Sequence, residues 1–130
     1  MTVTAMNHFT ILTDDVDKTV DFYRDFLGLE PGPRPTLGFP GAWLYGGGTP
    51  IVHVIGDVAR DRLRPGVIDH MAFSAQGLAA TLAKLDRHAI KYAARRQIES
   101  KVWQVFFFDP NGARIELDFA AEEDAPAALA

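Results

Sequence analysis

Residues 7–23 read NHFTILTDDVDKTVDFY, and residues 69–85 read DHMAFSAQGLAATLAKL. Each stretch opens on an Asn-His or Asp-His pair, runs through an apolar strand and passes into a helix. In the first, Val16, Val20, Tyr23 and Leu27 recur at spacings of four, three and four, the period of an amphipathic helix. In the second, Leu78, Leu82 and Leu85 share one helical face. His8 and His70 lie 62 residues apart. Near the end of each half a short strand sets a polar residue between apolar ones: His53 in IVHVI and Glu116 in RIELDF, 63 residues apart. A unit repeated in this way is two copies of one supersecondary module. Imidazoles and a carboxylate at matching places in both copies suggest one shared metal site.

The remaining elements follow from the punctuation. The first strand spans about residues 6–12, Asp14 or Asp15 caps the first helix, and Gly28 ends it. Residues 30–41 hold four prolines and three glycines, which predicts a loose strand and a long loop. AWLYG, the glycines at 46–48 and PIVHVIG then read as a β-hairpin. Residues 57–66 are a polar linker ending in Pro-Gly. VIDHMAFSA is the first strand of the second module, IKYAA a short strand and VWQVFFF another. Asp109-Pro110-Asn111-Gly112 suits a type I turn position by position, and ARIELDF closes the module. The expected fold is therefore α+β. Two tandem βαβββ modules (5–56 and 67–119) form a concave, partly open mixed sheet around a central cavity, in a single domain over 1–119. Residues 120–130, rich in alanine and acidic residues, are expected to be a disordered tail.

Bulk properties narrow the function. With 130 residues the chain suits one domain burying roughly two-thirds of its unfolded surface. A net charge of −4 advertises no basic patch for nucleic acid. No apolar run is long enough to span a bilayer, and the N-terminus lacks a basic-then-apolar signal, so a cytoplasmic location and no membrane partner are expected. The chain has no cysteine, so any metal here takes nitrogen and oxygen ligands. Strand alternation gives the faces. Ile115, Leu117 and Phe119 oppose Arg114, Glu116 and Asp118; Val52 and Val54 oppose Ile51, His53 and Ile55; His8 and His70 lead the polar faces of the first strands. His88, at a helix end with no counterpart in the other half, is expected to be solvent-exposed.

The βαβββ repeat, the opening NHFTILTDDVDKTVDFYRDFLGL, the DHMAF strand and the closing FFFDPNGARIELDF resemble the vicinal oxygen chelate superfamily, over about residues 5–119. That group includes glyoxalase I, extradiol ring-cleaving dioxygenases, fosfomycin-resistance transferases and bleomycin-resistance proteins. The resemblance implies metal ligands from the first strand of each module and from a last strand: His8, His70 and Glu116. Such a 2-His-1-carboxylate set suits Fe(II), the favoured ion, or Mn(II), Ni(II) or Zn(II), with open positions for two neighbouring oxygens of a substrate.

His53 stands where glyoxalase I has a glutamate, which weighs against glyoxalase chemistry. In the extradiol dioxygenases the corresponding strand carries a non-ligand histidine that acts as an acid–base group. The resemblance thus implies extradiol-dioxygenase-like chemistry first, with His53 catalytic or a fourth metal-site group. A glyoxalase-like lyase or isomerase, or a glutathione-type transferase, is the alternative; a metal-free drug-binding protein of the bleomycin-resistance kind is another. The tyrosine that such dioxygenases carry before the DPNG-like turn is absent here, where the stretch is Val105-Phe106-Phe107-Phe108. Phe39, Trp43, Tyr45, Trp103 and Phe107, with Arg95 and Lys101, are the expected pocket for a small-molecule substrate, aromatic ones included and catechols foremost. The aromatic residues serve equally as core or interface. The resemblance also implies a homodimer.

Overall fold

The structure, a computed structural model, describes residues 1–129 and divides into two compact units, with the division between Arg64 and Pro65. In the first unit, β1 (Phe9–Leu12) leads into α1 (Val16–Leu27), then β2 (Glu30–Gly32), β3 (Gly41–Gly46) and β4 (Thr49–Ile55). In the second, β5 (Met71–Ala75) leads into α2 (Leu78–Arg87), then β6 (Ala93–Arg96), β7 (Trp103–Phe108) and β8 (Arg114–Phe119). Each unit is thus βαβββ, and each forms a four-stranded mixed, open sheet. The orders are β1-β4-β3-β2 and β5-β8-β7-β6, with the first strand parallel to the last and the other pairs antiparallel. The α+β class and the tandem repeat read from the sequence are both present.

In the first unit the local chemistry explains each boundary. Asp15 caps α1, its side chain accepting from the Lys18 N–H at 3.0 Å. The buried hydroxyls of Thr13 and Thr19 bond at 2.9 Å and tie the end of β1 to the helix. Gly28 takes a left-handed φ of +67°, and the Gly28 and Leu29 N–H groups bond back to Arg24 and Tyr23 carbonyls. The β3–β4 turn uses only Gly47 and Gly48, at φ +60° and +81°, because a two-residue hairpin of this hand needs positive φ at both positions. Gly46 belongs to the strand instead, paired with Thr49. Ile11, Tyr23, Leu29, Leu44, Val52 and Val54 are buried, and β4 alternates as expected, with Ile51, His53 and Ile55 half-buried opposite.

In the second unit Leu78, Leu82 and Leu85 are fully buried, as are Ile115, Leu117 and Phe119. Helix α2 has glycine at its N-cap and no capping side chain of its own. The carboxylate of Glu123 takes that place, accepting from the Gly77 N–H at 3.0 Å and the Leu78 N–H at 2.7 Å. The 109–112 turn forms with the Gly112 N–H bonded to the Asp109 carbonyl, and the Asp109 side chain accepts from the Asn111 and Ala113 N–H groups, both at 2.8 Å.

Two boundaries differ from the sequence reading. The first strands begin at Phe9 and Met71, so His8 and His70 stand just before the ladders, each with its ring bonded to the residue before it. The short strand expected at 90–94 begins at Ala93, because Ala89 turns left-handed (φ +53°) and the Ile90 N–H still bonds to the Leu85 carbonyl. Residues 89–92 are spent leaving the helix.

Candidate functional site

Each unit carries one cluster on the polar face of its sheet. In the second unit, β8 presents Arg114, Glu116 and Asp118 there, and ladder register sets Phe106 opposite Glu116 and Gln104 opposite Asp118. Of the three, Glu116 alone is buried, at 5% exposure. Its Oε2 lies 2.7 Å from His70 Nε2, and its Oε1 accepts from the Gln104 amide at 2.5 Å. His70 Nδ1 lies 2.7 Å from the Asp69 carboxylate, which also accepts from Arg114 at 2.8 Å. Arg95 and Arg114 lie over the Phe106 ring at 5.2 and 4.7 Å, and His70 meets that ring edge-on.

The charges follow this geometry. Hydrogen bonds from His70 and then Arg114 hold the Asp69 carboxyl below the usual carboxylate range. Asp118 is pushed up to about 6, by burial first and then by its hydrogen bond and like charge with Glu116.

In the first unit, three rings stack, one from the residue just before β1 and one each from β4 and β3. His8 lies on His53 at 3.7 Å between centroids and 11° between planes, and His53 on Trp43 at 4.2 Å and 15°. The register agrees: Trp43 is the ladder partner of His53 on one side and Thr10 on the other. His8 Nδ1 lies 2.7 Å from the Asn7 side-chain oxygen. His53 Nε2 lies 3.1 Å from the Pro50 carbonyl, which can only accept, so Nε2 carries the hydrogen and Nδ1 a lone pair. Burial and then the charge of His8 lower the His53 pKa, with Arg34 adding to the effect and the Pro50 bond opposing it. His53 is accordingly a neutral imidazole near pH 7.

The remaining expected residues separate by face. Trp43 joins the stack. Tyr45 lies over Gly32 and donates its hydroxyl to the Pro33 carbonyl. Phe39 is exposed beneath Arg34, at 5.1 Å. Arg95 donates to Gln104 at 2.9 Å. Lys101 is exposed at a left-handed turn position, φ +63°. Trp103 and Phe107 are buried on the opposite, apolar face of β7 with Val105, because alternation puts Gln104 and Phe106 on the side of Glu116.

Sequence reasoning did not single out Asn7, Asp69, Gln104, Phe106 or Arg34. The Asn-His and Asp-His pairs were in view, and their first members turn out to be the ring acceptors. Gln104 needed the β7–β8 register. Arg34 needed Gly41, where a Cβ would come within 2.1 Å of the Val54 carbonyl and 2.9 Å of the Arg34 guanidinium.

The donor chemistry suits a divalent ion. His8 and His70 each have Nδ1 engaged by the preceding side chain, an arrangement that suits an imidazole offering Nε2 to an ion. His70 Nε2 and Glu116 Oε2 converge to 2.7 Å, where one cation could take a lone pair from each. Among the described residues no three His, Asp or Glu side chains come together as a group that could hold an ion; the second unit brings together two, His70 and Glu116. No helix among the described residues is long and apolar enough to cross a membrane.

Fold and polar faces together define a small tandem βαβββ protein with nitrogen and oxygen donors on its sheets. Residues 5–117 match the Glyoxalase family, described as the Glyoxalase/Bleomycin resistance protein/Dioxygenase superfamily, and the chain belongs to that superfamily. It is 33% identical over 124 residues to Glyoxylase I 4 of Arabidopsis thaliana, covering 88% of this chain and 70% of that protein. Among solved structures it resembles the fosfomycin resistance protein FosX of Listeria monocytogenes, in complex with Mn(II) and 1S,2S-dihydroxypropylphosphonic acid. That match has a TM-score of 0.74 at 14% identity and covers 92% of this chain and 94% of the other. It also resembles lactoylglutathione lyase of Agrobacterium tumefaciens, with a TM-score of 0.66 at 18% identity, covering 92% and 96%. At these identities the two structures speak for the fold.

Proposed function

We propose that this chain is a divalent-metal enzyme that takes a small substrate through two neighbouring oxygens and moves a proton on it, as a glyoxalase-type lyase or isomerase does. The observation that carries this reading is the convergence of His70 Nε2 and Glu116 Oε2 at 2.7 Å, each buttressed from behind. His70 and Glu116 of the second unit and His8 of the first are the proposed ligands, from one chain or from two copies in a homodimer. A metal bound by them supplies Lewis acidity to the substrate oxygens. His53 is the proposed proton carrier: its pKa is lowered, its Nε2 hydrogen is engaged by Pro50, and its Nδ1 lone pair is free to accept. Trp43 and His8 hold its ring plane from both sides.

Likeness to a glyoxalase I relative at 33% identity supports lyase or isomerase chemistry as the first reading. Ring-opening dioxygenation of a catechol-type substrate at Fe(II) is the second reading, favoured by a histidine at position 53 in place of a carboxylate. Against it, the residue facing Glu116 is Phe106, which offers no donor to a catecholate.

The test begins with metal. Protein purified anaerobically is titrated with Mn(II), Fe(II), Ni(II) and Zn(II), beside His8→Ala, His70→Ala and Glu116→Gln. Wild type is expected to bind one ion per site and each variant to bind far more weakly. Variants that bind as wild type does would sink the ligand set. Hemithioacetals and catechols under oxygen, offered to the loaded protein, then separate the two chemistries.

A further inference from the structure

We propose that Gln104 is a positioning residue for the metal, oriented by Arg95, which claims one oxygen of Glu116 and leaves the other as the single donor beside His70. This rests on the ligand reading above, and it uses only the second unit. The chain of contacts is short. Arg95 Nε donates to Gln104 Oε1 at 2.9 Å, and Gln104 Nε2 donates to Glu116 Oε1 at 2.5 Å. A guanidinium has donors only, so the end of the amide that faces Arg95 must be its oxygen, and the end that faces Glu116 its NH2 group. Arg95 therefore decides which way Gln104 points.

The consequence falls on Glu116. Its carboxylate is buried at 5% exposure, with Oε1 held by Gln104 and Oε2 aimed at His70 Nε2. Bidentate binding of a cation would cost the Gln104 bond inside a buried site, so one-oxygen binding is preferred and a coordination position stays open for substrate.

Gln104 is placed for this by register. It pairs with Asp118 across the ladder and reaches Glu116 diagonally, the neighbour within range of a long side chain. Arg95 is itself held over one side of Phe106, while Arg114 stacks on the same ring and holds Asp69 against His70. Two arms, Arg95–Gln104–Glu116 and Arg114–Asp69–His70, thus start from one aromatic ring and end at the two proposed ligands. The second arm is the familiar carboxylate support of a metal-bound histidine. The first does for the carboxylate what the second does for the imidazole.

The test is a double-mutant cycle read by Mn(II) affinity in the whole chain, with Glu116→Gln as reference. Gln104→Met keeps length and removes the amide, and Arg95→Leu removes the orienting donor from an exposed side chain. Each is expected to weaken Mn(II) binding about tenfold or more. The double variant should bind no more weakly than Gln104→Met alone, since Arg95 acts through Gln104. With Co(II) as probe, Gln104→Met should show a weaker visible band, as the freed carboxylate closes on the ion with both oxygens. Wild-type affinity and an unchanged Co(II) band in Gln104→Met, with binding lost in Glu116→Gln, overturns the inference and leaves the ligand reading standing. So does a double variant whose losses multiply. Should Gln104→Met not fold, Arg95→Leu alone decides, by the same affinity and the same band. Wild-type binding in Glu116→Gln is the separate outcome that removes the ligand reading itself.

Discussion

Glu123→Ala should destabilise the second unit by uncapping α2. The helix begins at Leu78 after a glycine at φ +89°, has no acidic residue in its first turn and no capping side chain of its own. Glu123 supplies the acceptor from 45 residues away, at 2.7 Å to Leu78 and 3.0 Å to Gly77. Truncation leaves two N–H groups without that partner, the Leu78 one part-buried, and loses an anion at the positive end of a helix. The first effect is worth about 1–2 kcal/mol, as for loss of an N-cap, and the second about 0.3–1 kcal/mol. A total near 2 kcal/mol lowers the Tm of a chain this size by about 6–8 °C. Glu123→Gln keeps an acceptor and loses the charge, so it should cost about a third as much. The assay is thermal melting followed by far-UV circular dichroism, with hydrogen exchange of the amides at the start of α2 as the local readout. Glu122→Ala, an exposed neighbour, is the control. Identical melting of Glu123→Ala and Glu122→Ala would refute the capping role.

Three further outcomes follow from the same geometry. Asp69→Asn gives His70 the neutral acceptor that His8 already has in Asn7 and removes the Arg114 ion pair, so Mn(II) affinity should fall about tenfold by titration while the circular dichroism spectrum is unchanged. Leu82→Ala, at a side chain 2% exposed, should cost about 2–5 kcal/mol in urea unfolding; a loss under 1 kcal/mol would mean that α2 is not packed as described. Gly47→Val forces a β-branched side chain to φ +60° in the two-residue turn and should cost more than 1 kcal/mol by the same assay, whereas Thr49→Val, at an exposed strand position, should be nearly neutral.

Much of this was legible in one dimension. The 62- and 63-residue offsets, the helix periods of Val16–Leu27 and Leu78–Leu85, the Gly28 stop and the DPNG turn depend on contacts within a few residues, which a linear pattern can display. The alternation of RIELDF was equally readable, and it assigned Glu116 its face before any ladder was known. The same rule applied to WQVFFF would have turned Trp103 and Phe107 away from Glu116, but with aromatic residues at four of six places the stretch shows no polar and apolar sides to tell apart.

What the sequence by itself determined is the repeat, the element order and the candidate donors: two Asx-His pairs, a strand histidine and a strand glutamate, with sulfur excluded. What only the tertiary structure decided is which atoms of those residues meet. The ladder between β7 and β8 brings Gln104 diagonally to Glu116, and β4 between β1 and β3 stacks His53 between His8 and Trp43. Both rest on strand register, which is a property of two chain segments at once and moves every side chain to the other face if it slips by one residue. That is why the ligand candidates could be named from the letters, and the residues that aim them could not.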